Sequence, residues 1–398
     1  MALPHLRRRP GSPPENLAGF KLLDYASDTD VPIARSGHRI FVDNDNMYVI
    51  GGFRNNGFGD GGQIIHEMWQ LNLVTQIWKM LPIPADFPTS LASFACVSDG
   101  CGSFLLYGGT GSPFGSNLDE HIYLGEVRDD NVRIKKILPR PGKSGVYGHV
   151  LLFDHKRQRY VSIGGTDGTV FRLDVHVLEK KNTTNDDSWG WRQLNSRHEV
   201  GLYRMEAIVD DDHILLFGGG TPDIVQSMEE LLSYDLEKEE YITVSTYGDP
   251  VHGYPEGRRC HGCARFGRTV VITGGCSQDL PRPGANHHPG ILRYVQVRSD
   301  SWAFNLDTYQ WRKLGDLSTP VYFHDSVFTK EGRLMIFGGV TDSQSNARTN
   351  ATQTCWIEPP SLFCTALAAV SGHGYLIPET ARMGDKGKLV RDLAVEEA

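Results

Sequence analysis

Six times along this chain a short apolar run ends in a pair of glycines. The runs Tyr48–Ile50, Leu105–Tyr107, Val161–Ile163, Leu215–Phe217, Val271–Thr273 and Met335–Phe337 lead into Gly51-Gly52, Gly108-Gly109, Gly164-Gly165, Gly218-Gly219, Gly274-Gly275 and Gly338-Gly339. The first glycines are 57, 56, 54, 56 and 64 residues apart, and recurrence at a near-fixed period is the mark of a repeat architecture. Each apolar run reads as a strand, and a second strand precedes it. That second strand is opened by Arg35-Ser-Gly-His38, Tyr147-Gly-His149, Tyr203-Arg204, Arg258-Arg-Cys-His261 and Tyr322-Phe-His324, whereas Thr89–Ser93 opens the second repeat without Arg or His. Downstream comes a hairpin with large rings nine residues apart, Trp69 and Trp78 in the first repeat and Trp302 and Trp311 in the fifth. Four strands per period, separated by turn residues, predict one β-propeller blade each. Glycine at the end of the second strand permits positive φ and close backbone approach near a crowded axis. The outer-strand ring is expected to cover the gap between blades.

The repeats run from about residue 18 to 358 and predict one all-β, six-bladed propeller. The sixth period has a third strand near Thr352–Ile357 and no fourth after it. Phe20–Leu23 is the expected donor, and closing the ring with an N-terminal strand removes two sheet edges that would otherwise invite aggregation. The fifth period carries an insertion from Cys276 to about Val297, rich in Pro, Gly and His, which reads as a flexible loop.

Composition narrows the function classes. No run of about 18 apolar residues is present, so no membrane span is expected, and Met1–Asn16 has no apolar core of a secretory signal. Its prolines and Arg7–Arg9 suggest that residues 1–17 are disordered. Seven cysteines without a framework spacing fit a reducing compartment, so the expected location is the cytoplasm or the nucleus. A net charge of −8 argues against a nucleic-acid partner, which would call for a basic stripe. Cys260-His-Gly-Cys263 is half of a zinc pattern without a second half, and strand alternation sends its two thiols to opposite faces. No metal or other cofactor is expected.

The strand–Gly-Gly pattern resembles the kelch repeat. That resemblance places the loops entering the inner strands, and the loops after the glycine pairs, on one face around the axis. The residues there include Arg35, Ser36, Tyr147, Tyr203, Arg204, Arg258, Arg259, Tyr322, Phe114 and Ser277. Arginine forks beside hydroxyls and rings suit an anionic group flanked by apolar surface. A buried guanidinium without an anion is costly, which favours a ligand for these arginines, and Arg204 and Arg258 are the first candidates. For His38, His149, His261 and His324 two readings stand, ligand contact or hydrogen bonding to neighbouring loops.

After the propeller, residues 359–398 change character. Ser361 can cap a short helix in which Leu362, Ala366 and Val370 share a face, and Ser371-Gly372 can end it. The pattern Ser-Leu-x-x-x-Ala-x-x-x-Val resembles an elongin-binding box, with Ala366 where Cys is common. Together with Tyr107–Gly115, Arg258–His261 and Pro320–His324, it makes the chain similar to kelch substrate receptors of cullin 2–elongin B/C ubiquitin ligases. The resemblance implies a non-catalytic adaptor whose propeller mouth binds peptide C-termini ending in Gly or Ala, with elongin B/C and a cullin, cullin 2 first, as partners. Leu376–Pro378 is the one candidate for the cullin contact, and Gly384 and Gly387 interrupt any later helix. Two other readings remain open at this point. One is a kelch scaffold binding an internal peptide loop; the other is a kelch-type oxidase holding copper on Tyr147, His149, Tyr322 and His324.

Overall fold

The computed structural model describes residues 19–25, 30–43, 45–55, 62–180, 188–281 and 293–357. Over these residues the backbone forms six four-stranded antiparallel sheets and two short two-stranded ribbons. Blade 1 runs from its inner strand Arg39–Asp43 through Asn46–Ile50 and Met68–Asn72 to Trp78–Leu81. Blades 2 to 5 repeat this order, with inner strands Ala95–Ser98, Val150–Asp154, Glu206–Asp210 and Gly262–Phe266. In blade 6 the strands Asp325–Phe328, Arg333–Phe337 and Thr352–Trp356 are completed by Lys21–Leu22 from the other end of the chain. Lys21 pairs with Thr354 and Leu22 with Gln353. The Tyr25 phenol reinforces the closure at 2.7 Å from the Thr352 hydroxyl. The expected N-terminal closing strand is therefore present.

The glycine-ended strands are mostly apolar on both sides because both of their faces are covered. Successive side chains of a strand point to opposite faces. Met47 and Val49 accordingly pack toward blade 6, while Tyr48 and Ile50 pack toward blade 2. The same division gives a separate apolar cluster at each of the six blade interfaces. Trp311, on the outer strand of blade 5, is fully buried against Phe217 of blade 4. Its indole N–H donates 3.0 Å to the Met228 carbonyl. This ring does close the gap between blades.

The blade 5 insertion departs from the expected loop at its base. Cys276 bridges Val297, and Leu280–Pro281 pairs with Arg293–Tyr294, so the insertion leaves the propeller as a two-stranded ribbon. Residues 282–292 lie outside the described residues, as do the N-terminal segment 1–17 and the tail with Leu362, Ala366 and Val370.

Removing the buried indole should open a cavity between blades that neighbouring strands cannot collapse into. Trp311→Ala is expected to lose about 3–5 kcal/mol of stability, read as a lower urea midpoint at unchanged slope. A loss below ~1 kcal/mol would show that the ring does not hold blades 4 and 5 together.

Candidate functional site

The six segments entering the inner strands align in one register. Arg35, Leu91, Val146, Leu202, Arg258 and Val321 hold its first position, and each carbonyl accepts the N–H of the second glycine of the preceding blade at 2.7–3.0 Å. Two residues on stand Gly37, Ser93, Gly148, Arg204, Cys260 and Phe323. The N–H of each donates to the carbonyl of the same position one blade back, at 2.7–3.1 Å, and the six bonds close into a circle around the axis. All six residues have φ between 55° and 64°. Only Gly adopts that conformation freely, so Ser93, Arg204, Cys260 and Phe323 hold it against a steric cost. The reward is placement, because residues in this ring reach the axis and form the floor of the mouth.

Arg204 shows how far such a side chain reaches. From blade 4 it hydrogen-bonds the Ser93 hydroxyl of blade 2 and lies with its guanidinium carbon 4.6 Å from the Phe323 ring centre in blade 6. A Cβ at Gly37 of blade 1 would stand 3.3 Å from its Nη2, so glycine there leaves room for the crossing guanidinium. Arg204 is 6% exposed, its Nε has no hydrogen-bond partner, and it forms no ion pair among the described residues. A buried guanidinium without an anion is unfavourable. The Glu206 carboxyl, already bridged to Arg39, acts on Arg204 only at longer range, so the guanidinium has no direct carboxylate partner.

The other arginines expected here have different fates. Arg35 and Arg258 are 0% exposed and turn back into their own blades. Arg258 grips Asp300 with two bonds of 2.9 and 2.8 Å, and Asp300 also accepts the Trp302 indole at 2.6 Å. Arg35 repeats this with Glu67 at 2.9 Å, whose carboxylate takes the Trp69 indole at 2.8 Å. These two are struts within blades 1 and 5, and neither is available to a ligand in the mouth. Arg259 is ion-paired to Asp279 at 2.5 Å.

Of the remaining expected residues, Tyr147 and Tyr203 meet edge to face, 5.8 Å between ring centres. The Tyr322 phenol is 2.5 Å from the Ser345 hydroxyl, and Ser277 donates 2.9 Å to the Gln278 carbonyl. Phe114 is 55% exposed and packs on Phe53 at 5.0 Å. Ser36 accepts 3.0 Å from Nε of Arg348. The four histidines sit behind the ring, with ring atoms against the first glycine of the preceding blade at Gly338, Gly108, Gly218 and Gly274. Burial holds all four well below the usual imidazole range, so they are neutral at pH 7. His149 and His324 thus face two different blade interfaces, which does not fit a shared copper site with Tyr147 and Tyr322. Among the described residues no group of three His, Cys, Asp or Glu is placed to hold a metal.

Two features were not read from the sequence. Ser93 and Phe323, which frame Arg204, share its ring position in their own blades and belong to no motif of their own. Below the floor, Arg39 of blade 1 bridges Glu206 of blade 4 at 3.3 Å and Asp325 of blade 6 at 3.2 Å, plugging the channel. Burial pushes both carboxyls up against the pull of Arg39. The inner strands of all six blades also line a cavity of about 330 Å³ around these residues.

A closed six-bladed ring with strand–Gly-Gly blades and a recessed mouth is a kelch propeller, an architecture suited to interaction through its loops. The Kelch motif matches residues 34–84, and the KLHDC2/KLHL20/DRC7 Kelch-repeats domain matches residues 148–352. The chain is 31% identical to kelch domain-containing protein 10 of Rattus norvegicus over 347 residues, covering 83% of this chain and 77% of that protein. With the Xenopus laevis protein the identity is 32%, covering 83% and 77%, and with the Homo sapiens protein 31%, covering 83% and 72%. The chain belongs to the kelch domain-containing protein 10 family. Among solved structures, YjhT shares the fold at a TM-score of 0.55 and 15% identity, covering 81% of this chain and 94% of that one. No helix among the described residues is long and apolar enough to cross a membrane.

The two kinds of arginine should separate in stability measurements. Arg258→Ala leaves Asp300 half-buried without its cation and is expected to cost about 3 kcal/mol, whereas Arg204→Ala should be neutral or slightly stabilising. Burial alone would raise the Asp300 carboxyl, but Arg258 and Trp302 outweigh it and hold it below the usual range. A depressed folded pKa contributes stability above the unfolded value, near pH 4, that is lost as pH falls through the folded value. The destabilisation by Arg258→Ala should therefore shrink on acidification below about pH 4. Equal stability loss in both variants would remove the distinction.

Proposed function

We propose that this chain is the substrate receptor of a cullin-RING ubiquitin ligase and that its mouth reads the C-terminal carboxylate of peptides ending in Gly or Ala. The observation that carries this reading is the unpaired, buried guanidinium of Arg204. A carboxylate matches its planar fork, and the Ser93 hydroxyl beside it offers a further bond. Tyr147, Tyr203 and Phe323 crowd the same floor, so a bulky last side chain would meet rings while Gly or Ala would not. The loss of Arg35 and Arg258 from the mouth leaves one central anion seat, which suits a single terminal carboxylate better than a run of acidic side chains. The ligase half of the proposal rests on the Leu362, Ala366 and Val370 pattern and on the kinship above, with elongin B/C and cullin 2 as the partners it implies. Such a receptor acts where it meets its substrates, in cytoplasm or nucleus.

Matched peptides ending in Ala-Ala or Gly, with free and amidated ends, should separate the readings. The free acid is expected to bind, and both amidation and Arg204→Ala should each cost about 2–5 kcal/mol, with Arg204→Ala still fully folded. Equal affinity for acid and amide would overturn the carboxylate reading and favour an internal-loop scaffold. Co-purification with elongin B/C should be lost in Leu362→Ala/Val370→Ala; its retention would remove the tail from the account.

A further inference from the structure

A second unpaired guanidinium lies on the same face, outside the axial ring. Arg348 of blade 6 donates 3.0 Å from Nε to Ser36 of blade 1, and from Nη1 to the carbonyls of Ser345 at 3.0 Å and Asn346 at 3.3 Å. Its guanidinium carbon is 5.0 Å from the Phe53 ring centre. It is only partly exposed; burial lowers its pKa against the opposing pull of Tyr322 and of the Asp342 carboxylate in its own loop, and no carboxylate forms a direct ion pair with it among the described residues. Nη2 makes no bond to the described residues.

The loop that holds Arg348 is fixed from within. The Asp342 carboxylate accepts from the N–H groups of Gln344, Asn346 and Ala347 at 2.7–3.2 Å, and the Tyr322 phenol closes on Ser345. An arginine anchored by three bonds, backed by a ring and with no carboxylate in direct contact is preorganised for one, although Asp342 offsets part of its charge. Ser36 and Gly37 are consecutive, and they join the two sites: Ser36 bonds Arg348, and Gly37 borders Arg204. Beyond Phe53 lies the exposed ring of Phe114, so a charged spot is followed by an aromatic shelf.

We propose that Arg348 with Phe53 and Phe114 forms a second subsite, which takes an acidic side chain upstream of the peptide terminus together with an apolar neighbour. This rests on the reading of Arg204 as the carboxylate seat for the peptide's end. The peptide then leaves the axis over blades 1 and 2, the sector where the ring and entry positions are small, namely Ser36, Gly37, Ala92 and Ser93. Over blades 4 to 6 the corresponding positions carry Tyr203, Arg204, Arg259, Cys260, Tyr322 and Phe323 and leave no comparable exit. The partner class is thus a flexible C-terminal tail with Asp or Glu, flanked by an apolar residue, a few positions before a small last residue.

The test uses the full-length protein and Ala-terminated ten-residue peptides carrying one Glu, Gln or Lys at successive upstream positions. At one or two adjacent positions Glu is expected to bind about tenfold tighter than Gln, which is the size of a good charge pair. That preference should vanish in Arg348→Gln and invert toward Lys in Arg348→Glu, while Arg204→Ala weakens all three peptides alike. Phe114→Ala should weaken binding only of peptides with the apolar neighbour. Discrimination of free from amidated ends with no Glu preference at any position would overturn the subsite and leave the Arg204 reading intact. A Glu preference that depends on Arg348 but persists on amidated peptides would support the subsite and overturn the terminal-carboxylate reading. No change between wild type and Arg348→Glu with any peptide overturns the subsite outright.

Discussion

Everything in the mouth depends on the closed circle of six backbone hydrogen bonds through Gly37, Ser93, Gly148, Arg204, Cys260 and Phe323. The circle demands left-handed backbone at every member, and for four non-glycine residues that costs of order 1–3 kcal/mol each. Such strain persists only when the surroundings over-determine it. Here they do, because each entry segment is also tied to its neighbour by a glycine amide and to its own blade by an antiparallel bridge. Residues at this position are consequently brought to the axis, where an ordinary strand would send alternate residues into the blade interfaces. An arginine two places earlier has the opposite fate and becomes part of the blade.

That two-residue offset explains what the sequence disclosed and what it did not. The fold was legible because glycine pairs, doubly apolar strands and paired tryptophans each have one physical use in a propeller, and because the missing fourth strand of blade 6 had one obvious donor. The mouth was legible only in outline. Arg35, Arg258 and Arg204 look alike as arginines near a histidine or tyrosine, yet only Arg204 occupies the ring position. A signal was available in the acid two residues before each third-strand tryptophan. Glu67 precedes Trp69 and Asp300 precedes Trp302, in just the two blades whose first entry position is arginine. An arginine with an in-blade carboxylate is already satisfied. At the base of the blade 5 insertion the reason is related: Gly and Pro content predicts turns, but it does not reveal that the flanks of a turn can pair as a ribbon.

The channel below the ring shows how the molecule keeps its charges apart. Arg39 is held between the Glu206 and Asp325 carboxyls, whereas Arg204 above it has no carboxylate in direct ion-pair contact and feels Glu206 only at longer range. Ser93 and the Phe323 face give the upper guanidinium direction without cancelling its charge. An overall acidic protein can in this way offer a local site for an anion. The small residues over blades 1 and 2 then give that site a way out, and Arg348 stands beside it.

The central claim is that the Arg204 guanidinium is the seat of a peptide's terminal carboxylate. A crystal structure of the protein with a peptide ending in Ala-Ala tests it most directly. The two carboxylate oxygens should lie in hydrogen-bond contact with Arg204 and Ser93, with Arg258 still paired to Asp300. A bound peptide whose terminus lies away from Arg204, or one that binds by an internal segment, would contradict it.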